Sequence, residues 1–287
     1  MQRFKILAMA VYFIFISIVF LFGCKPKKFV YKSPPHYNFL QPVPFKLDLP
    51  IKEISGIVWD TQKNQFIAHN DEKGAIYFLD RGAGTIMGEP FVFSESKGDY
   101  EDIAIIGQDV YVLRSDGAIF KIGIDSTGKR HKSDLGKIGL SDKNDFETLY
   151  YDAEKKALIM ICKNCGRDNK QTVSAFAYYP DSIGFVNKPL YSIDATKVKE
   201  LSQRQTSKFQ PSAARIHPIL KKLFIISSAS NQLVITDTNG EVEGVYMLAK
   251  KLFPQPEGLT FKSNGEMFIA NEGVTEKATL IKFIYIP

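Results

Sequence analysis

The sequence predicts an all-β protein, a β-propeller with five blades, and two observations lead to that prediction. A similar unit recurs five times along the chain, and its clearest copy is residues 254–272. Successive copies start 46, 46, 65 and 45 residues apart, and each contains several short strands. A repeat of that length with several strands is typical of propeller blades. Each copy opens on an acidic or hydroxyl residue, and these residues are Ser55, Glu101, Glu147, Ser212 and Glu257.

Four units each contain four runs of β-branched and aromatic residues separated by turn residues, which predicts four strands per blade. The first unit reads SGIVWD, FIAHND, AIYFLD and EPFVF, and the second reads EDIAII, DVYVLRS, AIFKIGI and a weaker strand near residues 136–140. The third reads ETLYYD, ALIMICK, SAFAYYP and PLYSID, and the fourth reads SAARIH, LFIISS, QLVITD and GVYMLA. The fifth unit shows three strands, EGLTFK, EMFIAN and TLIKFIYI.

The missing strand of the fifth unit predicts how the ring closes. An N-terminal strand at residues 45–49 would complete the last blade and remove an exposed sheet edge. The longer interval between the third and fourth units includes residues 196–204, which predict a short helix on one face or a degenerate sixth blade. The insertion is too short for four strands, so five blades are preferred to six.

The N-terminal residues predict an export signal. Arg3 and Lys5 precede a run at residues 6–22 that is apolar except for Ser17, and Leu21-Phe22-Gly23-Cys24 resembles a lipobox. We therefore expect residues 1–23 to be a lipoprotein signal peptide and Cys24 to carry the lipid. An uncleaved membrane anchor is the alternative, although a run of 17 residues is at the lower limit for spanning a bilayer.

The same segment predicts the domain organisation and the location of the protein. Residues 24–44 would be a lipid-anchored tether, and residues 45–287 the propeller domain. We expect a monomer that is lipid-anchored to a membrane of the bacterial cell envelope. The outer membrane is the preferred location, with the protein facing the periplasm. The basic run at residues 25–28 either touches anionic headgroups or is a solvated part of the tether.

The charge of the chain does not favour nucleic acid as a partner. Without Arg3 and Lys5 the 37 basic residues become 35, against 31 acidic ones, which leaves a net charge of +4. The basic residues are scattered, and no recognition motif for nucleic acid is present. The partners that remain are an unidentified small molecule or an envelope protein.

Two cysteines remain besides Cys24, and they form the sequence CKNC at residues 162–165. Such a pair is a redox motif when it opens a helix after a strand, but here the next residues resemble a loop. Two cysteines alone cannot complete a structural zinc site. A local disulfide and a pair of idle thiols both remain open.

The opening residues of the five units predict a ring around the central channel, because the first strand of a blade usually lines it. Within that ring, Glu101, Glu147 and Glu257 would repel one another unless they were protonated or neutralised. A divalent cation would relieve this repulsion, and oxygen ligands without a His or Cys cluster indicate calcium or magnesium. The alternative is neutralisation by Arg114 or Lys163.

A second set of polar residues follows the second strand of each unit and predicts a ligand-binding face. Its candidates are His69, Asn70, Arg114, Lys163 and Asn271. His69 is the weak candidate for a catalytic base, and a hydrogen-bonded histidine at a strand end is the alternative. No nucleophile elbow or phosphate-binding loop is present in the sequence, so whether the protein is an enzyme stays open.

The repeat residues resemble those of the SdiA-regulated family of extracytoplasmic bacterial β-propellers. The resemblance covers roughly residues 50–285, and its carriers are ISGIVWD with HND, IYFLD, DYEDIA, NDFETLYYD, QPSAARIHP, and PQPEGLTF with ANEG. It implies a propeller fold, export, and calcium in or near the channel. Glu101, Glu147 and Glu257 match the acidic blade-start positions of the family. The hydroxyls of Ser55 and Ser212 weaken the case for a multi-metal hydrolytic site.

Three functions follow from this reading. The first is a binding propeller that holds a ligand or partner at the channel with calcium. The second is a calcium-dependent hydrolase of the phytase-like or lactonase-like kind that uses the same channel. The third is a scaffold with a structural metal, and binding or scaffolding is preferred to catalysis.

Overall fold

The chain folds into five four-stranded antiparallel sheets in the part that the computed structural model describes, residues 31–82, 84–169, 171–202, 208–273 and 276–287. This arrangement confirms the predicted all-β propeller with five blades. The predicted signal peptide and the lipidation residue Cys24 lie outside the described residues. Among the described residues, no helix is long and apolar enough to span a bilayer.

The strands follow the predicted units closely. Blade 1 contains β2 (Ile54–Asp60), β3 (Gln65–Asn70), β4 (Gly74–Leu79) and β5 (Phe91–Ser94). Blade 2 contains β6 (Tyr100–Ile106), β7 (Asp109–Arg114), β8 (Ala118–Ile124) and β9 (Arg130–Lys137). Blade 3 contains β10 (Phe146–Asp152), β11 (Ala157–Cys162), β12 (Thr172–Tyr179) and β13 (Gly184–Asp194). Blade 4 contains β14 (Ala213–Ile216), β15 (Leu223–Ser227), β16 (Gln232–Thr236) and β17 (Val242–Met247). Blade 5 contains β18 (Pro256–Phe261), β19 (Met267–Asn271), β20 (Thr279–Phe283) and β1 (Val43–Lys46).

Apolar side chains on both faces of the inner strands pack the blades against one another. The strands β2 and β11 are buried at every residue, whereas the outer strand β9 is largely exposed. A buried apolar cluster lies between each pair of neighbouring blades, including blades 5 and 1, where Phe66 and Phe268 have ring centroids 4.9 Å apart. The ring is therefore closed by the same kind of packing that joins its other blades.

An N-terminal strand completes blade 5, as predicted. It runs over Val43–Lys46 rather than residues 45–49, and pairs with β20 from Val43 opposite Lys282 to Lys46 opposite Thr279. Residues Leu49–Ile51 form a 3-10 helix instead, with Pro50 in its first turn. Proline, which has no backbone N–H, is tolerated in the first turn because an N–H at that position would have no partner within the helix.

The long interval between blades 3 and 4 contains the predicted helix rather than a sixth blade. Helix α1 covers Ala195–Leu201, and the Asp194 side chain caps it by accepting hydrogen bonds from the N–H groups of Thr196 and Lys197. Such a cap satisfies backbone donors that have no partner within the helix. The last residues of the predicted range, 203–204, lie outside the described residues.

Part of the segment predicted as a tether packs on the propeller. Tyr37 is 5% exposed and lies in the apolar cluster between blades 4 and 5. Its hydroxyl donates to the carbonyl of Gly265 at 2.6 Å and is 2.6 Å from His217 Nε2. The sequence predicts a turn around His217, and the structure buries this histidine completely.

Candidate functional site at the central channel

The predicted ring residues are set apart from the regular strand pairing by β-bulges. In four blades the pairing between the first two strands skips one residue, and the skipped residues are Ser55, Glu101, Glu147 and Glu257. A bulge leaves one residue unpaired and re-aims its side chain. In blade 4 the corresponding Ser212 stands just before β14, and its hydroxyl donates to the carbonyl of Pro256 at 3.0 Å. The repeat therefore places a bulged residue at this position in four of the five blades.

These side chains line two adjoining cavities at one end of the channel. The first cavity, of about 200 Å³, is lined by Ser55, Glu101, Glu147 and Glu257 among others. The second, of about 360 Å³, is lined by Ser212 and shares Glu147 and Glu257 with the first. The structure thus brings all five ring positions to one connected site.

Three carboxylates form a tight group at the wall between blades 2 and 3. Oxygen atoms of Glu101, Asp145 and Glu147 all lie within 4.8 Å of one another. Lys163 forms an ion pair with Glu147 and lines both cavities. Oxygen donors at this separation fit a hard divalent cation such as calcium, since two oxygens on opposite sides of Ca²⁺ are about 4.6–5.2 Å apart.

Asp145 is the member of this group that the sequence prediction missed. It stands two residues before the ring position Glu147, and the other four units carry a polar residue at the same place. That second register consists of Glu53, Asp99, Asp145, Gln210 and Gln255, and the four besides Asp145 line one or both cavities. Extending the repeat alignment two residues upstream would have found it.

Burial and mutual repulsion raise the pKa of several acidic residues of the site. Burial, and then the neighbouring Asp99, raise the pKa of Glu101 to about 9, although Lys163 opposes the shift. Burial raises the pKa of Glu257 to about 7, while hydrogen bonds from Ser228 and Ser212 and the charge of Lys163 oppose it. Burial also raises the pKa of Asp145. The carboxylates of the site therefore outnumber the positive charges that could balance them.

The loop that carries Lys163 is held by the disulfide Cys162–Cys165, whose Cα atoms are 5.7 Å apart. The structure thus forms one of the two arrangements that the sequence left open. The backbone N–H groups of Lys163 and Asn164 both donate to the carbonyl of Asp145, at 2.8 and 3.2 Å. The lysine is anchored by its backbone while its side chain reaches the carboxylates.

The other predicted ligand residues lie outside the linings of both cavities. His69 is completely buried, its Nδ1 is 2.9 Å from the carbonyl of Asn70, and burial lowers its pKa to about 4. The Asn70 side chain binds the backbone of Pro50 and Lys73, and that of Asn271 binds Leu252 and Thr279. The remaining candidate, Arg114, forms an ion pair with Asp116 at 2.8 Å.

A buried ion pair, which the sequence did not predict, lies on the inner strands. Arg215 of β14 and Asp102 of β6 are joined at 2.8 Å, with side chains 10% and 1% exposed. Arg215 also donates to the carbonyls of Ile57 at 3.1 Å, Leu149 at 2.5 Å, and Ile103. Asp102 accepts from the N–H groups of Ile103 and Leu149. This network connects blades 1, 2, 3 and 4.

The raised pKa values predict that stability falls as the pH rises. The folded protein keeps a proton on Glu257 up to about pH 7 and on Glu101 up to about pH 9. An unfolded glutamate loses its proton near pH 4.3, so the folded state binds more protons in between. In chelator, the free energy of unfolding should fall from pH 4.5 to 9, by up to ~1.4 kcal/mol per pH unit and group.

Urea denaturation at a series of pH values measures this dependence. The variant Glu257→Gln should lose about half of the decline between pH 4.5 and 7, while the decline assigned to Glu101 persists up to about pH 9. A profile that is flat over this range would contradict the burial of protonated glutamates.

Comparison with solved structures shows the same architecture at low sequence identity. Myxococcus xanthus glutaminyl cyclase shares 12% identity, with a TM-score of 0.55 over 85% of this chain and 96% of that chain. The calcium-binding protein regucalcin from Agrobacterium tumefaciens shares 11%, with a TM-score of 0.52 over 84% and 95%. At these identities the likeness shows the fold alone.

Sequence comparison gives a more specific assignment. No match was found among curated protein sequences. The family model described as SdiA-regulated matches residues 46–274, which include all five ring positions and all five residues of the second register. The chain therefore belongs to the SdiA-regulated family.

Proposed function

We propose that this protein is an exported, lipid-anchored propeller that binds a small ligand or an envelope protein at its channel through a bound calcium ion. The observation that carries the proposal is the group of Glu101, Asp145 and Glu147, whose oxygens lie within 4.8 Å of one another beside a polar cavity. Glu257, the third residue of the predicted metal set, lines the same cavity but is not a member of this close group. The exported location rests on the N-terminal residues 1–24.

The chemistry of the donors supports calcium over softer metals. The group offers carboxylate oxygens, and Ca²⁺ takes six to eight oxygen ligands, including waters, in a flexible geometry. The second described group of this type, Cys162, Cys165 and Asp168, has its two sulfurs joined in the disulfide, so they are not available as thiolates. A calcium ion at the carboxylates would supply positive charge and leave coordination positions for a ligand. Regucalcin, which shares the fold, is described as calcium-binding.

Calcium is expected to stabilise the protein. At 100 times its Kd, one bound ion adds about 2.7 kcal/mol to the free energy of unfolding, which raises the Tm of a domain this size by roughly 5–11 °C. A chelator should reverse the shift. Because protons compete with the metal for Glu101 and Glu257, the shift should be larger at pH 8 than at pH 6. Thermal unfolding with calcium or chelator, together with metal analysis of the purified protein, measures these effects.

A pair of variants separates the site from general effects of calcium. Glu147→Gln removes one ligand charge and should abolish most of the calcium-dependent shift. Glu154→Gln, which changes an exposed glutamate of the same blade, should retain it. Protein that contains no metal and responds to neither calcium nor chelator would rule out the calcium centre.

A calcium-dependent hydrolase is the second candidate, and Glu257 is the residue that favours it. In this alternative Glu257 would not bind the calcium ion, and a buried carboxyl whose pKa in the calcium-free site is about 7 is suited to act as a general base at neutral pH. His69, the base candidate from the sequence, has no exposed surface from which to reach a substrate. A hydrolase should turn over an aryl phosphate or a lactone and lose this activity in folded Glu257→Gln, whereas a binding protein shows no turnover.

A further inference from the structure

The second cavity is lined by a more varied set of polar groups than the acidic cavity beside it. Its volume of about 360 Å³ falls at the small end of the range for small-molecule sites. Its lining adds hydroxyl and amide groups and a second lysine to the wall that the two cavities share. These additional groups belong to Gln210, Ser212, Ser228, Asn231 and Lys250.

One of the two lysines that line this second cavity has no partner among the described residues. The charge of Lys163 is matched by Glu147, with which it forms an ion pair. Lys250 is exposed and forms no hydrogen bond or ion pair with any described residue. A small anion would therefore find an unmatched ammonium group in the cavity.

Neutral hydrogen-bonding groups lie on the same lining. The Gln210 side chain forms no hydrogen bond with a described residue. Asn231 donates its amide to the carbonyl of Phe253 at 2.8 Å, which leaves its side-chain oxygen as an acceptor. The free Gln210 amide and the free Asn231 oxygen suit the hydroxyl groups of a polyol, which both donate and accept hydrogen bonds.

We propose that the second cavity binds a small hydroxylated carboxylate, the size of a single sugar acid, with its carboxylate on Lys250 and its hydroxyls on Gln210 and Asn231. Charge-assisted hydrogen bonds to the ammonium group would supply most of the affinity. The amides would select ligands that carry hydroxyl groups over simple aliphatic acids.

Binding in this cavity is coupled to the neighbouring cation site, and this part rests on the proposed function. A calcium ion at Glu101, Asp145 and Glu147 competes with Lys163 for Glu147. Since the Lys163 backbone is held by Asp145, only its side chain is displaced, and it already lines the second cavity. Calcium would thus release a second ammonium group toward the anion and raise its affinity.

Titration calorimetry with sodium D-glucuronate tests the assignment, and D-glucose serves as the matched ligand without a carboxylate. The full protein should bind glucuronate and not glucose, and saturating calcium should tighten glucuronate binding several-fold relative to chelator. Lys250→Met should weaken binding about tenfold. Lys251→Met, which changes the adjacent exposed lysine outside the cavity lining, should leave it unchanged.

The two proposals fail in different ways. Glucuronate binding that depends on Lys250, in a protein that does not bind calcium, would support the anion site and overturn the calcium centre. Equal glucuronate affinity with bound calcium and with chelator would overturn the coupling through Lys163. No glucuronate binding, equal binding of glucose, or equal effects of Lys250→Met and Lys251→Met would overturn the anion site.

Discussion

Replacement of Arg215 by methionine is expected to lower the free energy of unfolding by about 3–5 kcal/mol, because it leaves Asp102 buried without its counter-charge. The Asp102 side chain is 1% exposed, so water cannot replace the lost partner. The carbonyls of Ile57, Ile103 and Leu149 lose a donor at the same time. Urea denaturation monitored by fluorescence and circular dichroism measures the change.

A surface ion pair provides the control for this variant. Lys222 and Glu243 are also paired, but both side chains are 39% exposed, so Lys222→Met should change stability by less than about 1 kcal/mol. The double variant Asp102→Leu/Arg215→Met should be less destabilised than the sum of its single changes. Recovery stays incomplete because Asp102 also accepts from the N–H groups of Ile103 and Leu149. Similar losses for Arg215→Met and Lys222→Met would contradict a role for the buried network.

Removal of residues 1–46 is expected to prevent stable folding, whereas removal of residues 1–30 should not. The longer deletion removes β1 and leaves β20 as an unpaired edge, and exposed edges promote aggregation. It also removes Tyr37 from the apolar cluster between blades 4 and 5. Soluble yield and thermal unfolding of the two truncated chains measure the difference.

Single substitutions in the same segment test its role in a chain that still folds. Tyr37→Ala should cost about 3–5 kcal/mol, the usual penalty for truncating a large buried aromatic side chain. Its loss also leaves His217 Nε2 and the carbonyl of Gly265 without the tyrosine hydroxyl. Leu40→Ala, at a residue that is 82% exposed, should have little effect. Equal stability of these two variants would show that the segment does not support the fold.

Most of the fold could be predicted because the repeat carries its own signals. Strand runs separated by turn residues define each blade, and the spacing of the units gives their number. The shortage of one strand in the last unit predicts closure by the N-terminus, although the strand Val43–Lys46 begins two residues before the predicted one. The boundary moved because Pro50 and its neighbours form a 3-10 helix and do not extend the strand.

The candidate site could be predicted only in part. The ring positions line the two adjoining cavities, and four of the five share a bulge at the same place in the repeat, so alignment alone finds them. His69 and Asn70 end their strand as predicted, but their side chains bind nearby backbone groups. Asp145 joins the carboxylate group only where blades 2 and 3 meet, and an interface between blades is not a property of either repeat.

The repeat alone is enough to predict the propeller, the closure of its ring and the five residues that line the two cavities, and its spacing favours five blades. Each of these follows from a period or a count along the chain. Which of these residues act together depends on how the blades pack against one another. Lys163 beside Glu147, Asp145 beside Glu101, and Arg215 on Asp102 of another blade are contacts across the ring. Burial then raises the pKa of Glu101 and Glu257, because the cost of removing a charge from water depends on all the surroundings of that charge and not on its place in the repeat.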